Sequence, residues 1–215
     1  FSGCTSLTSI TWPSQLTTLG KSVFYGCTSL ESITLPSSLT SIGNSAFQNC
    51  TSLESIALPS SLASIDSYAF QNCTSLASID LPSQLTTLGS YAFYGCDNLS
   101  SVTLPKRLKK LGQNAFANCK GVRSLKLPDG LETIGKKAFS GTTLTTIEIP
   151  DKVTKLEAET FLNCKHLAEV TFKGDVKEIG SSAFEGCEAL NRLNLPAGVK
   201  SIGESTFSGS GLKEL

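Results

Sequence analysis

The chain has 215 residues, with 18 Lys and Arg against 18 Asp and Glu and a single His, so its formal net charge is zero and its pI is near 6.8. That balance excludes a non-specific polyanion binder and with it a general nucleic-acid partner. No apolar run approaches the roughly 20 residues that cross a bilayer, so this segment is expected not to insert into a membrane. The charge is nevertheless uneven. Residues 1–105 carry one Lys (Lys21) and five acidic groups (Glu31, Glu54, Asp66, Asp80, Asp97), a balance of −4, and the remainder carries +4.

Phenylalanine recurs at Phe1, Phe24, Phe47, Phe70, Phe93, Phe116 and Phe139, a step of 23 residues, then at Phe161, Phe184 and Phe207 after one shortened step. Fixed self-similarity at such a period marks a solenoid, in which each unit buries its apolar face against its neighbours. A single domain over residues 1–215 with about nine repeats is therefore expected. It opens and closes within a repeat and carries apolar residues there, Phe1 and Leu7 at one end and Leu212 and Leu215 at the other. Solenoid ends need protection, so further repeats beyond both ends, or end-to-end stacking, are expected.

Within one unit, Phe24–Ala46, the stretch holding Leu30, Ile33 and Leu35 alternates with period two and includes a β-branched residue. It predicts a short strand. The following Pro36, like Pro13, Pro59, Pro82, Pro105, Pro128, Pro150 and Pro196 in other units, has no N–H and turns the chain. A second extended segment follows at Leu39 and Ile42, and the residues before the next Phe suffice for about one helical turn. Two positions after each Phe stands only Gly or Asn, for example Gly26, Asn49 and Gly95, which predicts a left-handed residue there. The position 19 after each Phe is usually Gly, but Asp66 occupies it once, so a positive φ is not required at that point.

All eight cysteines fall three residues after a Phe: Cys4, Cys27, Cys50, Cys73, Cys96, Cys119, Cys164 and Cys187. Successive coils lie about 4.8 Å apart, within disulfide range, but side chains in one ladder point the same way. A buried ladder of free thiols acting as small apolar residues is the expected outcome. There is no C-x-x-C pair and His166 is the one histidine, so no metal or other cofactor is expected. His166 would also have to serve any Ser/His/Asp or Cys/His centre, and no phosphate-binding Gly loop is present, so no enzymatic activity is expected.

The recurring pattern, seen for instance in Leu53, Ile56, Leu58, Pro59, Leu62, Ile65, Ala69, Phe70 and Cys73, resembles the BspA-like subclass of leucine-rich repeats over essentially the whole chain. Trp12 departs from it at a strand Leu and Lys173 at a Pro, and the units after Phe139 and Phe207 are each one residue short. The resemblance implies an α/β repeat solenoid, a right-handed superhelix with a parallel β-sheet on its concave side and short helical or 3-10 turns on the convex side. It further implies an extracellular or cell-surface protein of anaerobic bacteria or parasitic protists, associated with adhesion to host extracellular or cell-surface proteins. Fold alone does not fix that function.

Residues flanking the central strand Ile are expected to face outward. In the first half they form a near-uniform hydroxyl row, Ser9/Thr11, Ser32/Thr34, Ser55/Ala57, Ser78/Asp80 and Ser101/Thr103. In the second half they vary: Ser124/Lys126, Thr146/Glu148, Glu169/Thr171 and Arg192/Asn194. Lys126, Glu148, Glu169, Arg192 and Asn194 are thus the candidate binding residues, while the uniform rows suit sheet formation and solubility; the alternative to a binding module is that the chain is a structural spacer projecting another domain from the cell surface. A basic run (Lys106, Arg107, Lys109, Lys110, Lys120, Arg123, Lys126, Lys136, Lys137) reads either as a solvated face or as a seat for an anionic glycan or acidic protein. Tyr25, Tyr68, Tyr91 and Tyr94 lie beside the Phe position and either pack between coils or anchor a partner. The N-x-S/T triplets at Asn49, Asn72 and Asn98 are glycosylation acceptors only in a eukaryotic secretory host.

Overall fold

The computed structural model describes residues 1–214 and is a stack of coils, each one repeat long. Every strand pairing is parallel and joins residues 23 apart, as in Ser32↔Ser55 and Ile42↔Ile65. That offset equals the repeat, so equivalent residues form columns along the stack.

Each coil has three sides. One carries the short strand before the proline: Ser32–Thr34, Ser55–Ala57, Ser78–Asp80, Ser101–Thr103, Thr146–Ile149 and Glu169–Phe172. Its middle residue points into the core and its flanking residues point out, as the period-two pattern requires. Here the strands pair only two by two: Ser32–Thr34 with Ser55–Ala57, Ser78–Asp80 with Ser101–Thr103, and Thr146–Ile149 with Glu169–Phe172. The side after the proline holds the longer sheet, six strands from Thr18–Leu19 to Thr133–Ile134 and three more from Lys155–Leu156 to Ser201–Ile202. The break between Ile134 and Lys155 coincides with the shortened unit, where Phe139 is followed by Phe161 after 22 residues rather than 23. The expected single sheet ahead of the prolines is therefore replaced by one interrupted sheet and one nearly continuous one.

The third side corrects the expectation of helical or 3-10 turns: among the described residues it contains turns and no helix. Two residues per coil are left-handed. One is the expected Gly or Asn, such as Gly26 at φ 68° and Asn49 at φ 62°. The other, two residues before each Phe, was not foreseen and includes Ser45, Tyr68, Lys137 and Glu159 at φ 57–62°. A left-handed residue breaks a helical run. Alternate N–H groups, moreover, donate to the next coil: Phe24 to the Ala46 carbonyl at 2.7 Å, Phe47 to Ala69 at 2.8 Å, Phe93 to Ala115 at 2.9 Å. Backbone donors committed between coils are not free to close intrahelical bonds.

The core is a set of columns. Phe24, Phe47, Phe70, Phe93, Phe116, Phe139, Phe161 and Phe184 are fully buried. Consecutive rings lie 5.2–6.1 Å apart and within 11° of parallel, a spacing at which offset aromatic pairs attract. Beside them run the buried strand Leu, Ile and Val residues and seven of the eight cysteines, Cys4 alone being exposed. All eight thiols are free. The buried thiols are more than apolar filler. The Cys50 S–H donates to the Phe24 carbonyl at 3.1 Å, and Cys73, Cys96 and Cys119 repeat the contact to Phe47, Phe70 and Phe93. The same Phe24 oxygen accepts the Cys27 N–H at 3.1 Å, so each such carbonyl uses both lone pairs. In the shortened unit Thr142 takes the cysteine position, its hydroxyl 2.9 Å from the Phe139 carbonyl and 3.3 Å from the Cys164 Sγ. Burial pushes the Cys50 and Cys119 thiols up to about 12 and Cys164 up to about 11, while Cys73 and Cys96 rise well above the usual thiol range.

Glycine at the position 19 after Phe has no positive φ, in line with the occurrence of Asp66 there. At individual coils the approach is close: a Cβ on Gly89 would lie 2.4 Å from the Asp66 carbonyl carbon, and one on Gly112 2.5 Å from the Ser90 nitrogen. Phe1, at one end of the stack, is 56% exposed, and Leu212 packs partly against the core. Leu215 lies outside the described residues.

Candidate functional site

The side carrying the pre-proline strands displays two outward columns. In the first half Ser32, Thr34, Ser55, Ala57 and Ser78 are exposed, a surface almost without charge. In the second half Lys126, Glu148, Glu169, Arg192 and Asn194 are all exposed on the same side. Parallel pairing sets their order. Thr146 lies opposite Glu169 and Glu148 opposite Thr171, and Arg192 bridges on to Glu214. One column therefore reads Ser124, Thr146, Glu169, Arg192 and the other Lys126, Glu148, Thr171, Asn194.

Within this surface Glu148 is held. Lys173, which stands where other units have proline, reaches back one coil to Glu148 at 2.8 Å and two coils to Asp129 at 2.9 Å. The Lys173 ammonium lowers the Asp129 carboxyl below its ordinary value and is itself raised by its two carboxylates. Sequence reading noted Lys173 only as a departure from the repeat pattern. A flexible cation replacing a rigid ring beside an outward column was the signal that it belongs to the surface.

The basic run is dispersed and only partly neutralised along the stack. Lys109 meets Glu132 at 3.0 Å, Lys120 meets Asp97 at 3.0 Å, and Lys136 and Lys137 share Glu159 at 3.1 and 2.8 Å. Between these two lysines the Glu159 carboxyl is lowered. Among the described residues Lys106, Arg107, Lys110, Arg123 and Lys126 have no carboxylate within 4.0 Å, Arg107 donating to the neutral Gln84 side chain instead. Lys110 lies on the longer sheet, paired with Thr87 and Thr133, away from the others.

Where the pre-proline strands fail to pair, the surface opens into grooves. One lies between Ser55–Leu58 and Ser78–Asp80 (≈ 380 Å³) and another between Val170–Phe172 and Asn194–Pro196 (≈ 380 Å³). A wider one, ≈ 590 Å³, separates Val102–Leu104 from Lys126–Gly130 and is flanked by Lys106. Lys126 and Asn194 each border a groove, whereas Glu148 and Glu169 stand on a closed strand pair.

Three of the tyrosines pack between coils, with Tyr68 and Tyr91 stacked at 4.9 Å and Asn118 donating to the Tyr94 hydroxyl at 3.0 Å, whereas Tyr25 is exposed. Asn49 and Asn72 are left-handed residues whose side chains bond each other at 3.0 Å, which accounts for both triplets without a glycan. His166 is exposed on the loop after Cys164. Among the described residues no group of three or more His, Cys, Asp or Glu is gathered as for a metal ion, and no helix is long and apolar enough to cross a membrane.

Comparison with known proteins adds three solved structures of bacterial repeat proteins. A leucine-rich repeat protein of Bacteroides ovatus ATCC 8483 is 27% identical over 97% of this chain and 78% of its own, with a TM-score of 0.64. A leucine-rich repeat protein of T. pallidum is 31% identical over 85% and 77%, at 0.63. A leucine rich cell surface protein of Faecalibacterium prausnitzii A2-165 is 25% identical over 94% and 70%, at 0.62. No curated protein shows a significant match. The profile of the BspA type leucine rich repeat region matches in six copies over residues 1–122 and 86–213. The 23-residue period, the Phe and Cys columns and these matches concur: the chain belongs to the BspA-type leucine-rich repeat family.

Proposed function

We propose that this chain is an adhesion module of an extracellular or cell-surface protein, binding a host extracellular or cell-surface protein through the outward columns of its second half. The observation that carries the reading is the change of chemistry at constant geometry. Positions filled mostly by Ser and Thr in the first half become Lys126, Glu148, Glu169, Arg192 and Asn194 in the second, while the positions beneath them stay apolar throughout. A structural requirement common to all coils would not call for such variation, whereas a specific partner would. The likeness to a leucine rich cell surface protein supports the location.

The test restores the hydroxyl pattern. The combined variant Lys126→Ser, Glu148→Ser, Glu169→Ser and Arg192→Ser keeps the core intact. Its binding to host extracellular matrix and cell-surface protein is expected to fall about tenfold or more, or about 1.4 kcal/mol. If the whole chain were a spacer, the variant would bind as the parent does.

A further inference from the structure

Resting on that protein-binding reading, we propose that the groove between Ser101–Thr103 and residues 124–126 receives an extended acidic peptide segment of the partner. Four observations converge on it. First, the pre-proline strands pair in twos, and between the pairs ending at Thr103 and starting at Thr146 residues 124–126 are left over. Ser124, Leu125 and Lys126 make no backbone–backbone hydrogen bond in either direction, although they occupy the strand position of their coil. Second, the groove beside them, at ≈ 590 Å³, is wider than the ≈ 380 Å³ grooves between the other strand pairs, and its floor is apolar. Val102 is half-buried there, while its counterparts Ile33, Ile56 and Ile79 are buried. Third, Lys106 and Lys126 flank the groove without a carboxylate partner among the described residues. Fourth, the one acidic group at its rim, Asp129, is already paired with Lys173, which leaves the rim cationic.

Unpaired strand backbone, apolar floor and free ammonium groups match an extended chain. Its backbone would bond to Ser124 and Lys126, alternate apolar side chains would rest on Val102 and Leu104, and carboxylates would meet Lys106 and Lys126. An anionic glycan would use the lysines alone and leave the backbone of residues 124–126 unpaired.

The probe is an alternating Glu-Val dodecapeptide, measured against the intact 215-residue chain by fluorescence anisotropy together with hydrogen exchange. The peptide is expected to bind and to slow amide exchange at residues 124–126. Lys106→Glu with Lys126→Glu should weaken it at least tenfold, and so should N-methylation of alternate peptide amides. Both lysines are solvated, so the variant folds, which circular dichroism checks. Unchanged exchange at residues 124–126, equal binding of the N-methylated peptide, or a sulfated oligosaccharide that binds more tightly and displaces the peptide would each overturn the proposal. In any of those cases the hydroxyl-restored variant would still lose host-protein binding if the adhesion reading holds, so the two failures are distinguishable.

Discussion

Replacing Phe93 by alanine is expected to remove about 3–5 kcal/mol from the stability of the fold. The ring has no exposed surface and stacks between Phe70 at 5.4 Å and Phe116 at 5.5 Å. Its removal leaves a cavity that the neighbours cannot close, because each of those rings is fixed by the next one along. In a solenoid every unit is stabilised only by its neighbours, so the damage should spread as a local opening of the adjacent coils. Denaturant unfolding of the variant is therefore expected to shift to lower concentration and to broaden, as the middle of the stack separates from its ends. An unchanged, equally steep transition would show that the Phe column is not the common core of the array.

Gly89→Val is expected to disrupt the stack by a different route. A Cβ there would meet three backbone atoms of Asp66 and Ser67 at 2.4–2.6 Å, and backbone cannot rotate out of the way as a side-chain tip does. Relief requires the two coils to separate, at a cost at or above the upper end of the about 1–3 kcal/mol typical of overpacking. The control is Gly20, at the same position of the first coil, where the nearest atom to an added Cβ is Val23 Cγ2 at 3.9 Å. Gly20→Ala should melt close to the parent. If thermal unfolding of Gly89→Val matched that of Gly20→Ala, the close approach of successive coils would be wrong.

The parts of this architecture that repeat identically were legible from residue spacing. Phe, Cys and Pro columns follow directly from a 23-residue period, because a column is the spatial form of a period. The Gly or Asn two residues after Phe announced a left-handed residue, since those types tolerate it best. The second left-handed position was hidden because Tyr68, Lys137 and Glu159 carry no such signature. Bonds between the coils hold those residues in that conformation: the Tyr68 N–H donates to Ser90 at 2.8 Å and the Glu159 N–H to Ser181 at 2.9 Å. The same bonds explain why a stretch long enough for a helical turn forms none. Neither the pairing of pre-proline strands in twos nor the groove beside Lys126 could be read from the period, because the strand pattern hardly changes from coil to coil. Of the candidate binding residues, all five lie exposed on one side as their alternation required. The role of Lys173 depended on contacts reaching one and two coils away, which no local pattern encodes.

The most direct test of the in-register stack is a count of reactive thiols in the native chain. Cys4 is exposed and the other seven are buried, with their S–H groups donating to main-chain carbonyls or lying beside them. Burial also raises the thiols from Cys27 to Cys187 above the ordinary cysteine range, so the reactive thiolate is scarce at neutral pH. Treatment of folded protein with a thiol-exchange reagent at neutral pH should label one cysteine rapidly, identified as Cys4 by mass spectrometry, and the remaining seven only on unfolding. Rapid labelling of all eight, or the recovery of disulfides between neighbouring coils, would contradict a dry ladder of thiols and the stacked columns built around it.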